Sequence, residues 1–195
     1  LYISTDCPTI KKVSKKYNPE IISRPKEIQN PNTLTEDVLH HAHEEIKKDV
    51  GGIKNIKYYV LLYANGAFLN SSLIKKAIKK LDKYKSFDSC VGVVNADMFT
   101  PIRAKIIDKK NSIKPFTKLS NFKNITSNRD SAGSAYFMDL SLQVLKPKCF
   151  EKMNGNQKPF LWLGNKILPF KKEFGGDIDA DWQFTLLEKW LKKNF

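Results

Sequence analysis

The acidic segment Gly175-Gly-Asp-Ile-Asp-Ala-Asp-Trp182 has the residue types and spacing in this sequence that best suit chemistry. Asp177 and Asp179 alternate, so on an extended segment both carboxylates face the same way. Two neighbouring carboxylates repel each other unless a cation lies between them. Mg²⁺ held by one or two carboxylates together with nucleotide phosphates would satisfy both groups. The spacing therefore suggests a magnesium site with Asp177 and Asp179 as ligands.

A second interpretation of the same segment needs no metal. Acidic residues are common at helix N-termini, where the positive end of the helix dipole favours them. Composition alone does not separate the two interpretations. Asp181 fits the helix interpretation better, because we expect it to lie inside the first turn of the final helix.

Three arginines stand near expected turns or strand ends. Arg24 ends a strand, Arg103 lies in Thr100-Pro-Ile-Arg103, and Arg129 precedes Asp130. Arginine in such a place can hold a carboxylate or a phosphate through two hydrogen bonds, although each could equally be a solvated surface residue.

Other common catalytic patterns are missing from the sequence. His40 and His43 share a helix face, but no third metal ligand stands near them, so we expect a structural or exposed role. There is no serine nucleophile elbow, no Walker motif and no GxGxxG. Residues alone thus indicate an α/β domain with an acidic pair that is related to nucleotides.

The elements that must position these residues alternate along the first half of the chain. Apolar patterns predict strands and amphipathic patterns predict helices, in the order strand, helix, strand, helix, strand. That alternation predicts a parallel sheet with helices on its faces, and ligands then bind beyond the carboxyl ends of the strands. The expected rim holds Asp6, the loop 63–70 and Asn95–Asp97. The predicted segments are 1–5, 21–24, 33–48 (with a Thr33–Glu36 capping box), 58–63, 74–81 and 89–94.

The second half of the chain follows another pattern. Segments 102–107 and 113–116 flank the turn-rich residues 108–112, which predicts a β-hairpin. Segments 136–140 and 166–170 suggest two further strands. A final helix over Asp179–Lys193 is expected to bury Phe184, Leu187 and Leu191 on one face.

Length, charge and cysteines limit the possible classes of protein. The 195 residues suit one domain, and no apolar run approaches the ~20 residues of a membrane span. The net charge of +14 comes from lysines spread along the chain, which favours a solvated surface over a polyanion-binding patch. Cys7, Cys90 and Cys149 form no CxxC, so neither a zinc site nor a disulfide framework is indicated and a reducing cytoplasm is expected.

Taken in order, the segments of this chain resemble the acylneuraminate cytidylyltransferases, also called CMP-sialic acid synthetases, over essentially its whole length. Each match is weak alone, and the order makes them strong together. They are Leu1-Tyr-Ile-Ser-Thr-Asp6 with the family's V-S-T-D strand, Arg24-Pro-Lys-Glu-Ile and Thr35-Glu-Asp-Val-Leu39 with R-P-x-E-L and T-x-D-V-L, 61–69 with L-Q-P-T-S-P-L-R, Gly133-Ser-Ala-Tyr136 with N-G-A-I-Y, and Asp177-Ile-Asp179 with D-I-D.

The resemblance implies a Rossmann-like nucleotidyltransferase sheet of the nucleotide-diphospho-sugar transferase type, forming one cytidylyltransferase domain over residues 1–195. Residues 101–130 would be a hairpin extension that makes a homodimer. The activity would be transfer of a cytidylyl group from CTP to a nonulosonic acid, with Mg²⁺ as cofactor and no nucleic acid or membrane partner. Implied roles are catalysis for Asp177, Asp179, Arg103 and Arg129, metal binding for Asp177 and Asp179, nucleotide binding for Asp6, Arg24 and Thr35, and sugar binding for Tyr63, Tyr136, Phe160 and Trp162.

Several positions depart from the family pattern. Tyr63 replaces a glutamine that contacts the sugar, and Leu69 replaces an arginine that closes that loop, so an acceptor other than sialic acid is expected. The family's opening motif, a strand and a glycine-rich phosphate loop, has no counterpart here and would precede Leu1. These 195 residues alone are therefore expected to be inactive, and a non-catalytic remnant of the family stays an alternative. A basic nucleic-acid-binding module is less favoured, because no RRM, KH or zinc signature is present.

Overall fold

The computed structural model describes residues 1–128, 131 and 133–195, apart from the side chain of Met98. These residues form two compact units: unit 1 is Leu1–Leu61, Ile74–Cys90 and Gln143–Leu168, and unit 2 is Leu62–Leu73, Val91–Leu142 and Pro169–Phe195. The elements are β1 (Tyr2–Ser4), α1 (Pro8–Ser14), β2 (Glu20–Ile22), α2 (Thr35–Asp49), β3 (Tyr59–Leu61), α3 (Ser71–Lys83), β4 (Ser89–Asn95), β5 (Lys105–Ile107), β6 (Ile113–Pro115), β7 (Tyr136–Leu145), α4 (Lys148–Glu151), β8 (Ile167–Lys172) and α5 (Gln183–Asn194).

Strands β1 and β2 of unit 1 form a parallel pair, with Tyr2 opposite Glu20 and Ser4 opposite Ile22. Helix α1 connects them, an element that the sequence patterns did not predict between segments 1–5 and 21–24. The hydroxyl of Tyr2 donates a hydrogen bond of 2.5 Å to Oδ2 of Asp49, which ties β1 to the end of α2.

Helix α2 begins later than its sequence predicts. The expected capping box of Thr33 and Glu36 is wrong: the helix starts at Thr35 after the non-capping residue Leu34, and the buried Oγ1 of Thr33 has no hydrogen-bond partner. The predicted stop at Gly51–Gly52 is confirmed. The N–H groups of both glycines donate to carbonyls in the last turn, and Gly51 takes the left-handed φ of 73° that glycine adopts freely.

The largest sheet has the strand order β3-β7-β4-β8. β7 is antiparallel to β3, with Tyr59 opposite Leu145. Hydrogen bonds from Lys146 N to Asp88 O and from Ala96 N to Ala135 O lie at opposite ends of β4 and β7, so those two strands are antiparallel as well. Strands β3 and β4, which helix α3 connects, therefore run in the same direction. They are not neighbours, because one strand position lies between them.

The reversed strand β7 occupies that position, so the expectation of a purely parallel sheet is corrected to a mixed sheet. The predicted α/β class is confirmed. Helix α3 buries Ala77 and Leu81, and the core of unit 1 also contains Val144, Leu145 and Leu163. Along the described residues, no helix is long and apolar enough to cross a membrane.

The predicted hairpin is present in unit 2. Strands β5 and β6 pair antiparallel, with Lys105 opposite Pro115 and Ile107 opposite Ile113. Oδ1 of Asp108 accepts the N–H groups of Lys110 and Ser112 at 2.9 Å, and these bonds close the turn. The side chains of Ile107 and Ile113 are 72% and 68% exposed.

Helix α5 differs most from its prediction. It begins at Gln183 and not at Asp179, because the Gln183 side chain accepts the N–H groups of Asp179 and Ala180 at 2.6 and 2.7 Å and holds them in a turn before the helix. The expected buried face is also wrong. Phe184 and Leu191 are exposed and Leu187 is half-buried, whereas Trp190 is buried and packs edge-on against Phe68.

Candidate functional site

The two aspartates of the acidic segment lie on a loop of unit 2 that follows β8. Because α5 begins only at Gln183, Asp177, Asp179 and Asp181 all precede the helix. Asp181 thus lies in the turn just before the helix, so the expectation that it lies inside the first turn is wrong. Acidic residues directly before a helix still suit the positive end of its dipole, so the helix interpretation stands beside the magnesium site.

Residue Asn65, in the loop after β3, holds one side of this acidic loop. Its carbonyl oxygen accepts the N–H of Ile178 at 2.9 Å. Its side-chain Nδ2 donates to Oδ1 of Asp179 at 3.0 Å. One carboxylate oxygen of Asp179 is thereby fixed by the protein.

A buried ion pair lies beneath the other end of the acidic loop. Asp139 on β7 and Lys172 on β8 pair directly, and their side chains are 1% and 2% exposed. Ser141 joins both: its hydroxyl donates to Oδ2 of Asp139 at 3.0 Å, and the ammonium of Lys172 donates to that hydroxyl at 2.8 Å. Every buried polar atom of this group thus has a partner, as buried charge requires.

Asp139 also contacts the acidic loop itself. Its Oδ1 accepts the N–H of Ser141 at 3.2 Å and the N–H of Gly176 at 3.3 Å. Gly176 has a φ of 124°, a conformation that side chains with a Cβ rarely adopt. The turn that leads into Asp177 is therefore built on glycine and anchored by a buried carboxylate.

Two further glycines allow the close packing of this network. A Cβ on Gly92, in the strand between β7 and β8, would lie 2.9 Å from the carbonyl oxygen of Asp139 and 3.2 Å from Cδ of Lys172. A Cβ on Gly175 would lie 2.6 Å from Oδ2 of Asp139. Lys172 on β8 reaches Asp139 on β7 across β4, the strand between them, because the glycine at position 92 of β4 has no side chain.

The charges around Asp177 favour the uncharged form of its carboxyl group. Partial burial, followed by the nearby charges of Asp179 and Asp139, raises the pKa of Asp177 above its usual range. A site that concentrates negative charge in this way is suited to a cation, which would relieve the repulsion.

The donor set fits a metal that is shared with a substrate. Over the described residues, no group of three or more His, Cys, Asp or Glu side chains comes together as a metal site. Two carboxylates remain, and Mg²⁺ commonly takes one or two carboxylates together with waters and substrate phosphates. The residues therefore fit a Mg²⁺–nucleotide complex better than a metal site built from protein groups alone.

The other predicted site residues of unit 2 are at or near its surface. Tyr136 is 44% exposed, with Nζ of Lys171 lying 4.8 Å from its ring centre. Tyr63 is half-buried, and Arg103 is exposed in the turn after Thr100. Arg129 lies outside the described residues, so its predicted catalytic role stays a prediction.

The predicted nucleotide-binding residues belong to unit 1. Arg24 donates to Oγ and to the carbonyl oxygen of Ser4 at 3.0 and 2.8 Å, and it lies 3.7 Å from the Asp6 carboxylate. These contacts link the ends of β1 and β2 and orient the guanidinium. Thr35 is exposed at the start of α2.

The two aromatic residues predicted to face the sugar from unit 1 differ in exposure. Phe160 is half-buried. Trp162 is only 4% exposed, and its indole N–H donates to Oε1 of Gln143 at 2.8 Å. Trp162 is therefore a core residue, and its predicted contact with a sugar is corrected because the ring has almost no free surface.

Four residues of the site were missed by reasoning from sequence: Asn65, Asp139, Ser141 and Lys172. A signal was present for one of them, because Asp139 interrupts an otherwise largely apolar strand, and a charged residue in such a strand needs a partner. The partner could not be identified, since Lys172 lies 33 residues further along among many other lysines.

Comparison with known proteins identifies the fold. No protein-family model matches the chain, and no curated protein matches it in sequence. The solved structure of CMP:2-keto-3-deoxy-manno-octonic acid synthetase complexed with CTP is similar with a TM-score of 0.60 and 9% identity, covering 100% of this chain and 81% of that one.

A protein described as a glucose-1-phosphate thymidylyltransferase, from Bacillus anthracis and in complex with sucrose, gives a TM-score of 0.55 and 12% identity, covering 100% of this chain and 76% of that one. The fold of this chain is thus that of the nucleotide-diphospho-sugar transferases.

Proposed function

We propose that this chain is a nucleotidyltransferase that joins the cytidylyl group of CTP to a 2-keto sugar acid of the nonulosonate type, releasing pyrophosphate. The observation that carries the proposal is the acidic loop. Asp177 and Asp179 are held from two sides in a fold that known nucleotidyltransferases share.

Cytidine as the base and a 2-keto acid as the acceptor are supported by two sources. The CMP:2-keto-3-deoxy-manno-octonic acid synthetase was solved with CTP, and its sugar is a keto acid. The ordered segments that resemble the acylneuraminate cytidylyltransferases point to the same base and to a related acceptor.

In the proposed reaction the anomeric hydroxyl of the sugar attacks the α-phosphorus of CTP. A new oxygen–phosphorus bond forms while the bond to the β-phosphate oxygen breaks. Pyrophosphate leaves with that electron pair, and the proton of the hydroxyl passes to solvent. Catalysis of this kind depends mainly on positioning and on neutralising charge. Asp177 and Asp179 would hold Mg²⁺, which when bound neutralises phosphate charge and lowers the pKa of a bound hydroxyl.

The remaining residues would bind and orient the two substrates. Arg24, with Asp6 and Thr35, would border the cytidine, and the exposed guanidinium of Arg103 would meet a sugar carboxylate or a phosphate. Arg129 would share that role. Tyr63, Tyr136 and Phe160 would form the apolar side of the sugar site.

A homodimer through residues 101–130 belongs to the same proposal. Its support is the apolar surface of the hairpin, where Ile107, Ile113 and Phe116 are all more than half exposed. Ile107→Lys together with Ile113→Lys should convert a dimer to a monomer in light scattering. A monomeric native chain would contradict the dimer and leave the reaction unaffected.

The test of the reaction is pyrophosphate release with CTP, Mg²⁺ and a panel of 2-keto sugar acids, measured on these 195 residues and on a longer version that adds a phosphate loop before Leu1. Variants are compared in the longer version. Asp177→Asn and Asp179→Asn should each lower the rate by ~10²-fold or more, since groups that stabilise transition-state charge are commonly worth that much. UTP, dTTP and ATP in place of CTP test the choice of base.

Asp181→Asn is the matched control, because it removes an equal charge from the same segment without touching the proposed pair. Its rate should stay near that of the native chain. Equal turnover by the Asp177, Asp179 and Asp181 variants would refute the assignment of the acidic pair.

A further inference from the structure

The buried Asp139–Lys172 pair is more than a means of filling the interior of unit 2. Apolar residues of similar volume commonly stabilise a core as well as a buried ion pair does, because both charges must leave water. An apolar side chain at position 139 could accept neither the N–H and hydroxyl of Ser141 nor the N–H of Gly176, all of which Asp139 accepts. Of these bonds, only the one from Gly176 comes from the acidic loop.

The geometry directs this carboxylate at the acidic loop. Oδ1 meets Gly176, the residue before Asp177, while Oδ2 is held by Lys172 and Ser141. Gly175 lies so close that its missing Cβ would collide with Oδ2. The backbone entering Asp177 therefore rests directly on a carboxylate that is itself fixed in place.

We propose that Asp139 is a positioning residue, which fixes the Gly175–Asp177 turn so that the Asp177 carboxylate is held next to Asp179 before a cation arrives. Lys172 pairs with Asp139 and holds it in place in the interior, and Gly92 leaves room for that contact. The benefit to nucleotidyl transfer rests on the proposed function, whereas the positioning itself does not.

Gly175→Ala tests the proposal without removing either buried charge. The backbone at position 175 is outside the left-handed region, so alanine can adopt it, but its Cβ would lie 2.6 Å from Oδ2 of Asp139 and must push the loop away. The exchange rate of the Gly176 amide, followed by NMR, and the affinity for Mn²⁺, followed by the paramagnetic signal of the free ion, measure the result.

Both quantities should change by about tenfold, because the loop loses a hydrogen bond to a charged acceptor. The exchange should become faster and the Mn²⁺ affinity weaker. Neither measurement depends on CTP turnover. Both therefore test the positioning role of Asp139 even in a chain that does not transfer cytidylyl groups. A native chain that binds no Mn²⁺ would count against the proposed metal site, and the Gly176 exchange rate alone would then decide whether Asp139 positions the turn.

A conservative double variant separates positioning from stability. Asp139→Asn with Lys172→Met removes both charges but keeps an Oδ1 that accepts from Gly176. Asp139→Leu with Lys172→Met removes that acceptor too. We expect the Gly176 amide to exchange more slowly in the Asp139→Asn double variant than in the Asp139→Leu double variant. Mn²⁺ should also bind more tightly to the Asp139→Asn double variant, with most of the native affinity.

Lys148→Met is the matched control, because it breaks another lysine–aspartate pair, with Asp88 in unit 1, at 2.6 Å. Gly176 exchange and Mn²⁺ affinity should stay within about twofold of the native values, less than the loss of one ordinary hydrogen bond. Unchanged exchange in Gly175→Ala would overturn the proposal. So would equal changes in Gly175→Ala and Lys148→Met, which would indicate a loss of general stability.

Discussion

Asn65 and Asp179 are 114 residues apart in the sequence, yet Nδ2 of Asn65 lies 3.0 Å from Oδ1 of Asp179. The same asparagine accepts the N–H of Ile178 through its backbone carbonyl. The loop after β3 thus has a structural role: through Asn65 it holds one carboxylate of the acidic pair.

Asn65→Ala should weaken the use of Mg²⁺ more than it weakens the fold. The variant loses the side-chain donor but keeps the backbone contact, and both partners are exposed. We expect the Mg²⁺ concentration for half-maximal pyrophosphate release to rise by about fivefold, the ratio that ~1 kcal/mol gives. The exposed Asn154→Ala serves as the control. A thermal midpoint that falls while the Mg²⁺ requirement stays constant would contradict this role.

His43 makes the stability of unit 1 depend on pH. Burial lowers its pKa, with Lys47 and His40 acting the same way and Glu44 and Glu151 opposing. The unfolded chain then binds the proton more readily than the folded chain, so the stability is complete above the ordinary histidine pKa of ~6.5. It is lost as pH falls through that value toward the lowered pKa of the folded state.

Thermal unfolding between pH 7.5 and pH 5.5, a range around the ordinary pKa of about 6.5, tests this dependence. The midpoint should fall on acidification by about 2–4 °C for each kcal/mol lost in a domain of this size. His43→Gln should reduce the dependence, whereas His40→Gln should keep it. The same pH dependence in native chain and His43→Gln would show that other groups cause it.

Trp162→Phe should destabilise the fold without changing sugar recognition. The indole is buried and donates to Gln143, so the variant removes this donor and leaves space in the core. We expect a loss of ~1–3 kcal/mol in the free energy of unfolding. The KM for the sugar should stay near the native value in steady-state assays. A raised KM without loss of stability would restore Trp162 to the sugar site.

The acceptor should be a keto sugar acid other than sialic acid. The acylneuraminate cytidylyltransferases, which this sequence resembles, have a glutamine and an arginine at the positions of Tyr63 and Leu69, so the proposed acceptor site lacks a polar contact and a charge. In a panel of nonulosonic acids with CTP, sialic acid should give a low kcat/KM. Leu69→Arg should improve it, whereas Leu62→Arg, at an exposed leucine outside the proposed sugar site, should not. Sialic acid as the best native acceptor would reject this prediction.

Apolar patterns in the sequence predicted most of the helices and strands, but they did not predict which strands lie side by side in the sheet. The run at Ser89–Asn95 correctly indicated a buried strand, and residues 108–112 indicated a hairpin turn. Periodicity shows which faces are buried, and it does not tell which strand lies beside another. The insertion of β7 between β3 and β4 therefore could not be deduced.

The candidate site could likewise be predicted only in part. The spacing of Asp177 and Asp179 revealed the acidic pair, because two carboxylates so close together are unusual without a cation. The supporting contacts of Asn65, Asp139 and Lys172 join segments distant in sequence, and they depend on small residues whose importance appears only in three dimensions. Trp162 was misassigned for a related reason: an aromatic residue looks the same in sequence whether it faces a ligand or the interior.

The absence of a side chain at Gly92 also constrains how this protein can diverge. Alanine at that position would meet the backbone carbonyl oxygen of Asp139 at 2.9 Å and Cδ of Lys172 at 3.2 Å, so a shorter residue at position 172 alone does not make room for it. Losing Lys172 alone would leave the Asp139 charge unpaired in the interior, and losing Asp139 alone would leave the Lys172 charge unpaired. Related sequences are therefore expected to replace Asp139 and Lys172 together and to keep glycine at position 92.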